Sequence, residues 1–145
     1  MLELINEHPD LADYLKDDPV RPHIPLHWRI AKGREVYGLF EDDLPCGIRS
    51  IICVAYTRGI GIEERDLNNI EDADTAMFYT VWSYDKGAGR EIVLATQKHI
   101  QKIRPDIFRF ATLSPLTTMA ERFHLRNGAH FVRKGSKCQN FEYPT

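Results

Sequence analysis

The chain has 145 residues, of which 43% are hydrophobic and 28% are charged. That length fits one domain with a sizeable core, and the composition excludes an intrinsically disordered chain. The formal net charge is −2, and no run approaches the roughly 18 apolar residues of a membrane span. We therefore expect neither a nucleic acid nor a membrane as a partner.

The first residues and the cysteines favour a cytoplasmic protein. The acidic start lacks the apolar stretch of a signal peptide. The cysteines form an odd set without paired or metal-ligand spacing, and we expect them to act as small apolar residues: Cys46, Cys53 and Cys138. His23 and His27 have i, i+4 spacing, but nearby prolines exclude the helix that would bring them together. We expect no metal cofactor, and the oligomeric state stays open.

The N-terminal segment, residues 1–33, is predicted to be a helix followed by a proline-rich lead-in to the core. Apolar residues at helical spacing indicate an amphipathic helix that ends before Asp17: Leu2, Leu4, Ile5, Leu11 and Leu15. Three prolines then predict an extended or looped stretch: Pro19, Pro22 and Pro25.

A β-hairpin and a long strand are predicted next. Residues 34–40 and 47–56 have the composition of strands and flank a polar turn at residues 41–45. Residues 57–72 are polar and contain glycines, which predicts a loop with a short helix. In residues 74–84 large apolar side chains alternate between the two sides, so we expect both faces of this strand to be buried.

A helix and a further strand should follow. Residues 91–104 carry apolar side chains at helical spacing (Val93, Ile100 and Ile103), and Pro105 ends this helix. Residues 107–113 are rich in aromatic and apolar side chains and predict a strand.

The C-terminal part predicts a short helix and a closing pair of strands. Thr118 and Glu121 have the spacing of a capping box, which starts a helix. Asn127-Gly128 supplies its end, because glycine accepts a left-handed conformation. Residues 131–133 and 140–143 have strand character. The chain is thus expected to be a single α/β (α+β) domain over residues 1–145, with its core in residues 34–145.

A glycine-rich turn between the long strand and the next helix is a candidate anion site. Gly87 and Gly89 let the backbone approach a phosphate, and the first N–H groups of a helix point at it. Lys86 and Arg90 add positive charge. Turns of this kind are also common without a ligand, and neither a Walker loop nor a full dinucleotide fingerprint is present.

The order of elements resembles the GNAT acyltransferase fold, a mixed and mostly antiparallel sheet flanked by helices. The resemblance implies coenzyme A or an acyl-CoA as the bound small molecule, with its pyrophosphate on the glycine turn and its pantetheine arm along the end of the long strand. Tyr84 stands where that superfamily usually has Gln or Arg. The implied cofactor-binding residues are Trp82, Ser83, Tyr84, Lys86, Gly87, Ala88, Gly89, Arg90 and Glu91.

Two further stretches resemble one branch of this superfamily, the catalytic domain of malonyl-CoA decarboxylase. The first combines residues 74–80 with residues 110–115, and the second combines residues 120–129 with residues 140–143. Their specific parts are Thr-Leu-Ser-Pro at residues 112–115 and Phe-His-Leu-Arg-Asn-Gly-Ala at residues 123–129. Carried over from that family, the catalytic pair is Ser114 and His124. The resemblance implies decarboxylation of a malonyl-type thioester, in which Ser114 anchors the carboxylate and His124 stabilises the enolate and protonates carbon. The long helical insertion of that family between the two runs is absent.

Two other functions stay open on the same residues. The second run is also similar to the late helix of ordinary GNAT acetyltransferases, where His124 would replace the tyrosine that protonates the CoA thiolate. A base for an amine acceptor would then come from Glu63, Glu64 or Asp66. A non-catalytic CoA-binding module is the third alternative.

Overall fold

The computed structural model describes residues 1–41 and 47–145, without the side chains of residues 9–12. Within these ranges the chain forms eight strands: β1 (Leu2–Leu4), β2 (Arg34–Phe40), β3 (Ile48–Thr57), β4 (Thr75–Ser83), β5 (Arg109–Thr112), β6 (Ser114–Pro115), β7 (His130–Lys134) and β8 (Cys138–Tyr143). The α-helices of the described residues are α1 (Leu26–Arg29), α2 (Ala88–Ile103) and α3 (Thr118–Arg126). Short 3-10 helices cover Ile5–Glu7, Pro9–Asp17 and Glu64–Asn68. No helix of the described residues is long and apolar enough to cross a membrane.

The strands form one mixed sheet in the order β1-β2-β3-β4-β5-β8-β6, and β7 pairs with β8. Strands β4 and β5 are parallel. Antiparallel pairs join β1 to β2 and join β8 to β5, β6 and β7. The prediction of a mixed, mostly antiparallel sheet with flanking helices is therefore confirmed.

The chain divides into two compact units. Unit 1 comprises Met1–Val54 and Thr80–His99, and unit 2 comprises Ala55–Tyr79 and Ile100–Thr145. Fully buried aliphatic side chains in unit 1 include Val36, Ile51, Ile52, Ile92 and Val93. Unit 2 has an aromatic core, in which the ring of Phe78 lies 6.2 Å from Phe110 and 6.5 Å from Tyr143.

The N-terminal helix prediction is wrong for its first residues. Leu2–Leu4 is a strand, in which Leu2 pairs with Leu39 and Leu4 with Tyr37. The remainder of the predicted helix consists of the two 3-10 segments, Ile5–Glu7 and Pro9–Asp17, rather than a continuous α-helix. Pairing with β2 satisfies the backbone groups of Leu2–Leu4, and Pro9 lacks the N–H that a continuous helix would need.

The central elements follow the sequence prediction closely. Strands β2 and β3 match the two arms of the predicted hairpin within one residue at each end. Of the predicted turn, residues 42–45 lie outside the described residues. Strand β4 is buried on both faces over Thr75–Thr80, as its apolar alternation indicates. Helix α2, strand β5 and the pair β7–β8 also confirm the predicted elements.

The ends of α3 are fixed by local hydrogen bonds. The N-cap is Thr117, whose hydroxyl accepts from the Ala120 N–H at 3.1 Å, so the predicted cap at Thr118 is wrong by one residue. At the other end Gly128 has φ +103°. The N–H groups of Gly128 and Ala129 donate to the carbonyls of Leu125 and His124, which closes the helix in a Schellman motif.

Candidate functional site

The residues singled out in the sequence fall into two groups. The glycine turn and its flanks, residues 82–91, lie in unit 1, whereas Ser114 and His124 lie in unit 2.

The glycine turn connects β4 to α2. Tyr84 N–H donates to the Arg49 carbonyl at 2.8 Å, and the Ala88 N–H donates to the Asp85 carbonyl at 3.1 Å. Gly87 has φ +83° and lies exposed at the turn, while a Cβ added there would meet no atom within 4 Å. Its backbone conformation, rather than crowding, therefore requires glycine. Gly89 lies in the first turn of α2.

Charged groups of both signs surround this turn. Lys86 and Arg90 are exposed. Asp85 and Glu91 both accept hydrogen bonds from the guanidinium of Arg49, on β3, at 3.0 and 2.9 Å. A surface cavity of about 420 Å³ runs along one side of α2, lined by Gly87, Arg90, Glu91, Leu94, Ala95 and Lys98. The lining combines two cations, one carboxylate and two apolar side chains.

Hydrogen bonds hold the side chains of Trp82, near the end of β4, and of Tyr84, just after it. The Trp82 Nε1–H donates to the Tyr84 hydroxyl at 3.0 Å, and that hydroxyl donates to Asp17 Oδ2 at 2.7 Å. Partial burial, together with the bond to Asp17, raises the pKa of Tyr84 to about 12, so the phenol stays protonated. Ser83, between them, is exposed.

Strands β5 and β6 position Ser114 in unit 2. The ladder between β4 and β5 covers Thr75–Phe78 and Arg109–Thr112, and the Leu113 N–H donates to the Phe78 carbonyl at 3.0 Å. From Ser114 onwards the chain forms β6, which pairs with β8 through Ser114 and Gln139. Ser114 therefore lies just beyond the end of the β4–β5 ladder, while the pairing with β8 continues.

Strand register places the serine on a defined face of β8. Phe110 pairs with Tyr143 and Ser114 pairs with Gln139. Directly paired residues share a face, and residues two apart on one strand share it too. The face with Ser114 therefore carries Phe110 and Thr112 from one side and Gln139, Phe141 and Tyr143 from β8.

The hydroxyl of Ser114 is buried and belongs to a chain of hydrogen bonds. Its Oγ lies 2.8 Å from Thr112 Oγ1, which in turn accepts from the Phe141 N–H at 3.1 Å. Thr112 is fully buried and Ser114 is almost completely buried. Either hydroxyl can be the donor of the bond between them. When Thr112 donates, the Ser114 proton is available to a third group.

His124, on α3, is buried against the same face of β8. Its Nδ1 lies 2.8 Å from the Tyr143 hydroxyl, and its ring stacks on Phe141 with 5.6 Å between centroids. Burial lowers the pKa of His124 to about 4, so the imidazole is neutral at pH 7. Within the described residues Nε2 has no hydrogen-bond partner. Tyr143 thus holds Nδ1 and fixes the ring, while Nε2 makes no hydrogen bond to the described residues.

The structure therefore brings Ser114 and His124 to one face of β8. Ser114 is linked to the Phe141 N–H through Thr112, and His124 stacks on the Phe141 ring. Helix α3 also contacts β6. The sequence prediction assigned no role to the supporting residues Thr112, Phe141 and Tyr143. Their signal was the alternation Thr-x-Ser and Phe-x-Tyr, which puts each pair on one strand face.

A second cavity, in unit 2, is lined by two of the candidate bases. It has a volume of about 310 Å³ and is lined by Glu63, Glu64, Arg65, Lys137 and Cys138. Asp66 Oδ2 accepts from the N–H groups of Ile62 and Glu63, which ties it to its own turn. In the part of the chain that the structure describes, no three His, Cys, Asp or Glu side chains form a group that could hold a metal ion.

Comparison with known proteins shows the fold. No protein-family model matches the chain, and no curated protein matches it in sequence. Among solved structures, malonyl-CoA decarboxylase from Agrobacterium vitis superposes with a TM-score of 0.80 at 17% identity, over 100% of this chain and 60% of that one. The malonyl-CoA decarboxylase from Rhodopseudomonas palustris gives 0.75 at 18%, over 99% and 56%. The PaiA N-acetyltransferase from Thermoplasma acidophilum, in complex with coenzyme A, gives 0.62 at 12%, over 100% and 99%.

These likenesses establish a GNAT fold, which confirms the fold predicted from the order of elements. The chain spans somewhat over half the length of the two decarboxylases. At 12–18% identity the comparison concerns the fold alone.

Proposed function

We propose that this chain binds an acyl-CoA and decarboxylates a malonyl-type thioester. The observation that carries the proposal is the arrangement on β8: a buried serine hydroxyl bonded to Thr112, and a neutral buried imidazole with one nitrogen bonded to Tyr143. The high structural similarity to two malonyl-CoA decarboxylases supports it.

The cofactor would be held through the glycine turn. The exposed Gly87 and the N–H groups of the first turn of α2 suit a pyrophosphate, and Lys86 and Arg90 supply positive charge. Because the Trp82 and Tyr84 side chains are bonded to each other and to Asp17, this segment would meet the pantetheine arm through its backbone.

The proposed reaction breaks the bond between the carboxylate carbon and the methylene carbon of the malonyl group. The electron pair of that bond moves onto the thioester oxygen, giving an enolate and CO₂. Ser114 donates a hydrogen bond to the departing carboxylate. This bond holds the carboxylate in a defined orientation while the carbon–carbon bond breaks. His124 donates to the thioester oxygen as negative charge develops there, and a donor of this kind lowers a barrier by about 2.7–4 kcal/mol.

Protonation at carbon completes the reaction. The developing enolate raises the pKa of the adjacent imidazole, because an opposite charge favours its protonated form. The imidazole takes up one proton from solvent as this charge develops. The imidazolium then delivers a proton to the methylene carbon, which gives the acetyl thioester and returns His124 to its neutral form. The low pKa of the free imidazole keeps it neutral until the substrate charge is present.

Acyl transfer to an amine is the second candidate. It is favoured by the cavity that Glu63 and Glu64 line, since either carboxylate is a candidate base for an acceptor. Asp66, which is bound to backbone N–H groups, is the weaker candidate. His124 would protonate the CoA thiolate. A CoA-binding module without turnover is the third alternative.

One experiment separates these functions. The protein is incubated with malonyl-CoA, and separately with acetyl-CoA and a panel of amines, and products are followed by mass spectrometry. Acetyl-CoA formed from malonyl-CoA by the wild type and by the control His27→Ala, but not by His124→Ala, supports decarboxylation. Free CoA with an acylated amine supports transfer. Saturable thermal stabilisation by CoA without either product supports the binding module and contradicts the proposal.

A further inference from the structure

We infer that Arg49 is a positioning residue for the proposed pyrophosphate-binding turn, and that it acts by pairing with two carboxylates that would otherwise repel the phosphates. This inference rests on the proposed binding of CoA. Neither the composition nor the resemblance draws attention to Arg49, which lies on β3 and not in the glycine turn.

The contacts of Arg49 enclose the turn from both sides. Its carbonyl accepts the Tyr84 N–H at 2.8 Å, before the turn. Its Nε donates to Asp85 Oδ2 at 3.0 Å, and its Nη1 donates to Glu91 Oε1 at 2.9 Å, in the first turn of α2. A single guanidinium thus holds one carboxylate at each side of Gly87.

Arg49 determines whether the charged groups around the turn carry a net positive charge. Asp85 and Glu91 are offset by Lys86 and Arg90, so the turn by itself presents no net charge to an anion. With Arg49 the group has one net positive charge. The guanidinium fork also suits two carboxylates at once, which a lysine ammonium on a flexible stem does not.

The geometry also keeps the carboxylates in place. The Arg49 side chain is 22% exposed, whereas those of Asp85 and Glu91 are about half exposed, at 53% and 51%. The bonds to Asp85 and Glu91 raise the pKa of Arg49, so it stays charged over the whole working range. Without Arg49 both carboxylates would be free to turn towards a bound phosphate.

The test measures CoA affinity by isothermal titration calorimetry in four proteins. These are the wild type, Arg49→Gln, Arg49→Lys and the triple variant Arg49→Gln/Asp85→Asn/Glu91→Gln. We expect Arg49→Gln to weaken CoA binding at least tenfold, and Arg49→Lys to weaken it less. The triple variant, which lacks both carboxylates and keeps Lys86 and Arg90, should lose no more than about threefold in CoA affinity relative to the wild type. Arg104→Gln, which breaks an exposed ion pair with Asp106 beyond the end of α2, is the control and should bind as the wild type does.

Two results would overturn the inference alone: Arg49→Gln binding CoA within twofold of the wild type, or the triple variant binding as weakly as Arg49→Gln. Absence of CoA binding by the wild type would overturn the proposed function and this inference with it. Melting temperatures of all variants show whether a loss of affinity follows from unfolding instead.

Discussion

His124 Nδ1 lies 2.8 Å from the hydroxyl of Tyr143, and this bond ties helix α3 to strand β8. The same strand supplies the ring of Phe141 on which the imidazole stacks. The histidine is thereby fixed in orientation on two sides, while its burial keeps it uncharged. A fixed, neutral imidazole is a hydrogen-bond donor or acceptor of defined direction, which is what the proposed chemistry needs.

The stability of the protein should depend on pH through His124. Its pKa is about 4 in the folded protein against 6.5 for a free imidazole, so between these values the unfolded chain binds more protons. The free energy of unfolding therefore falls as the pH falls through this window, by about 2 kcal/mol between pH 8 and pH 5 from this residue. Urea unfolding at both pH values measures it. His124→Gln should lose that part of the pH dependence, whereas His27→Gln should keep it; equal pH dependence in wild type and His124→Gln would contradict the expectation.

Thr112 should matter to the reaction through Ser114. In Thr112→Val the shape is kept, but Ser114 loses its hydroxyl partner and the buried Phe141 N–H loses its acceptor. We expect stability to fall by about 1–3 kcal/mol and malonyl-CoA turnover to fall at least tenfold. Thr112→Ser, which restores the hydroxyl, should recover turnover to within about threefold. If Thr112→Val turns over as fast as Thr112→Ser, the hydrogen-bond chain has no part in the reaction.

Gly87 and Gly128, two exposed glycines with positive φ, offer a matched pair of substitutions. Gly87 has φ +83° and Gly128 has φ +103°, and a Cβ at either would meet no atom within 4 Å. Alanine at each position should therefore cost a similar amount, about 1–2 kcal/mol, from backbone strain alone. CoA titration should show weaker binding in Gly87→Ala and unchanged binding in Gly128→Ala. Equal CoA affinities in the two variants would speak against the glycine turn as the phosphate site.

The buried ion pair of unit 1 should be a main determinant of its stability. Arg29 Nη1 lies 2.8 Å from Asp18 Oδ2, and both side chains are almost completely buried. Arg29→Met leaves a buried carboxylate without its counter-charge, which should cost about 3–5 kcal/mol. Arg65, which is 83% exposed and pairs with Glu63, is the matched control, and Arg65→Met should cost below about 1 kcal/mol. Similar midpoints of urea unfolding for the two variants would contradict this assignment.

Much of the fold could be predicted from local sequence. Alternating apolar residues located β2, β3 and β4, Pro105 ended α2, and Asn127-Gly128 ended α3, because each signal acts within a few residues. Leu2–Leu4 could not be predicted in this way. Its partner strand, β2, begins 30 residues later at Arg34. The spacing of apolar residues within the first segment therefore does not indicate the pairing.

The site was predictable only in part. Ser114 and His124 stood out by their flanking motifs, but their partners are set by strand register. Thr112 meets the N–H of Phe141, and His124 meets Tyr143, because β5, β6 and α3 all contact β8. The position of Arg49 beside the glycine turn follows from the pairing of β3 with the end of β4, which the sequence pattern does not specify at the level of single residues.

The most direct test follows the fate of malonyl-CoA in deuterium oxide by mass spectrometry. The account predicts that the wild type converts it to acetyl-CoA carrying one deuterium in the methyl group, delivered at the carbon that loses CO₂. Ser114→Ala and His124→Gln should slow that conversion about 100-fold or more while still binding CoA. Malonyl-CoA that remains intact with the wild type, or variants that convert it at the wild-type rate, would contradict the assignment of Ser114 and His124 to this chemistry.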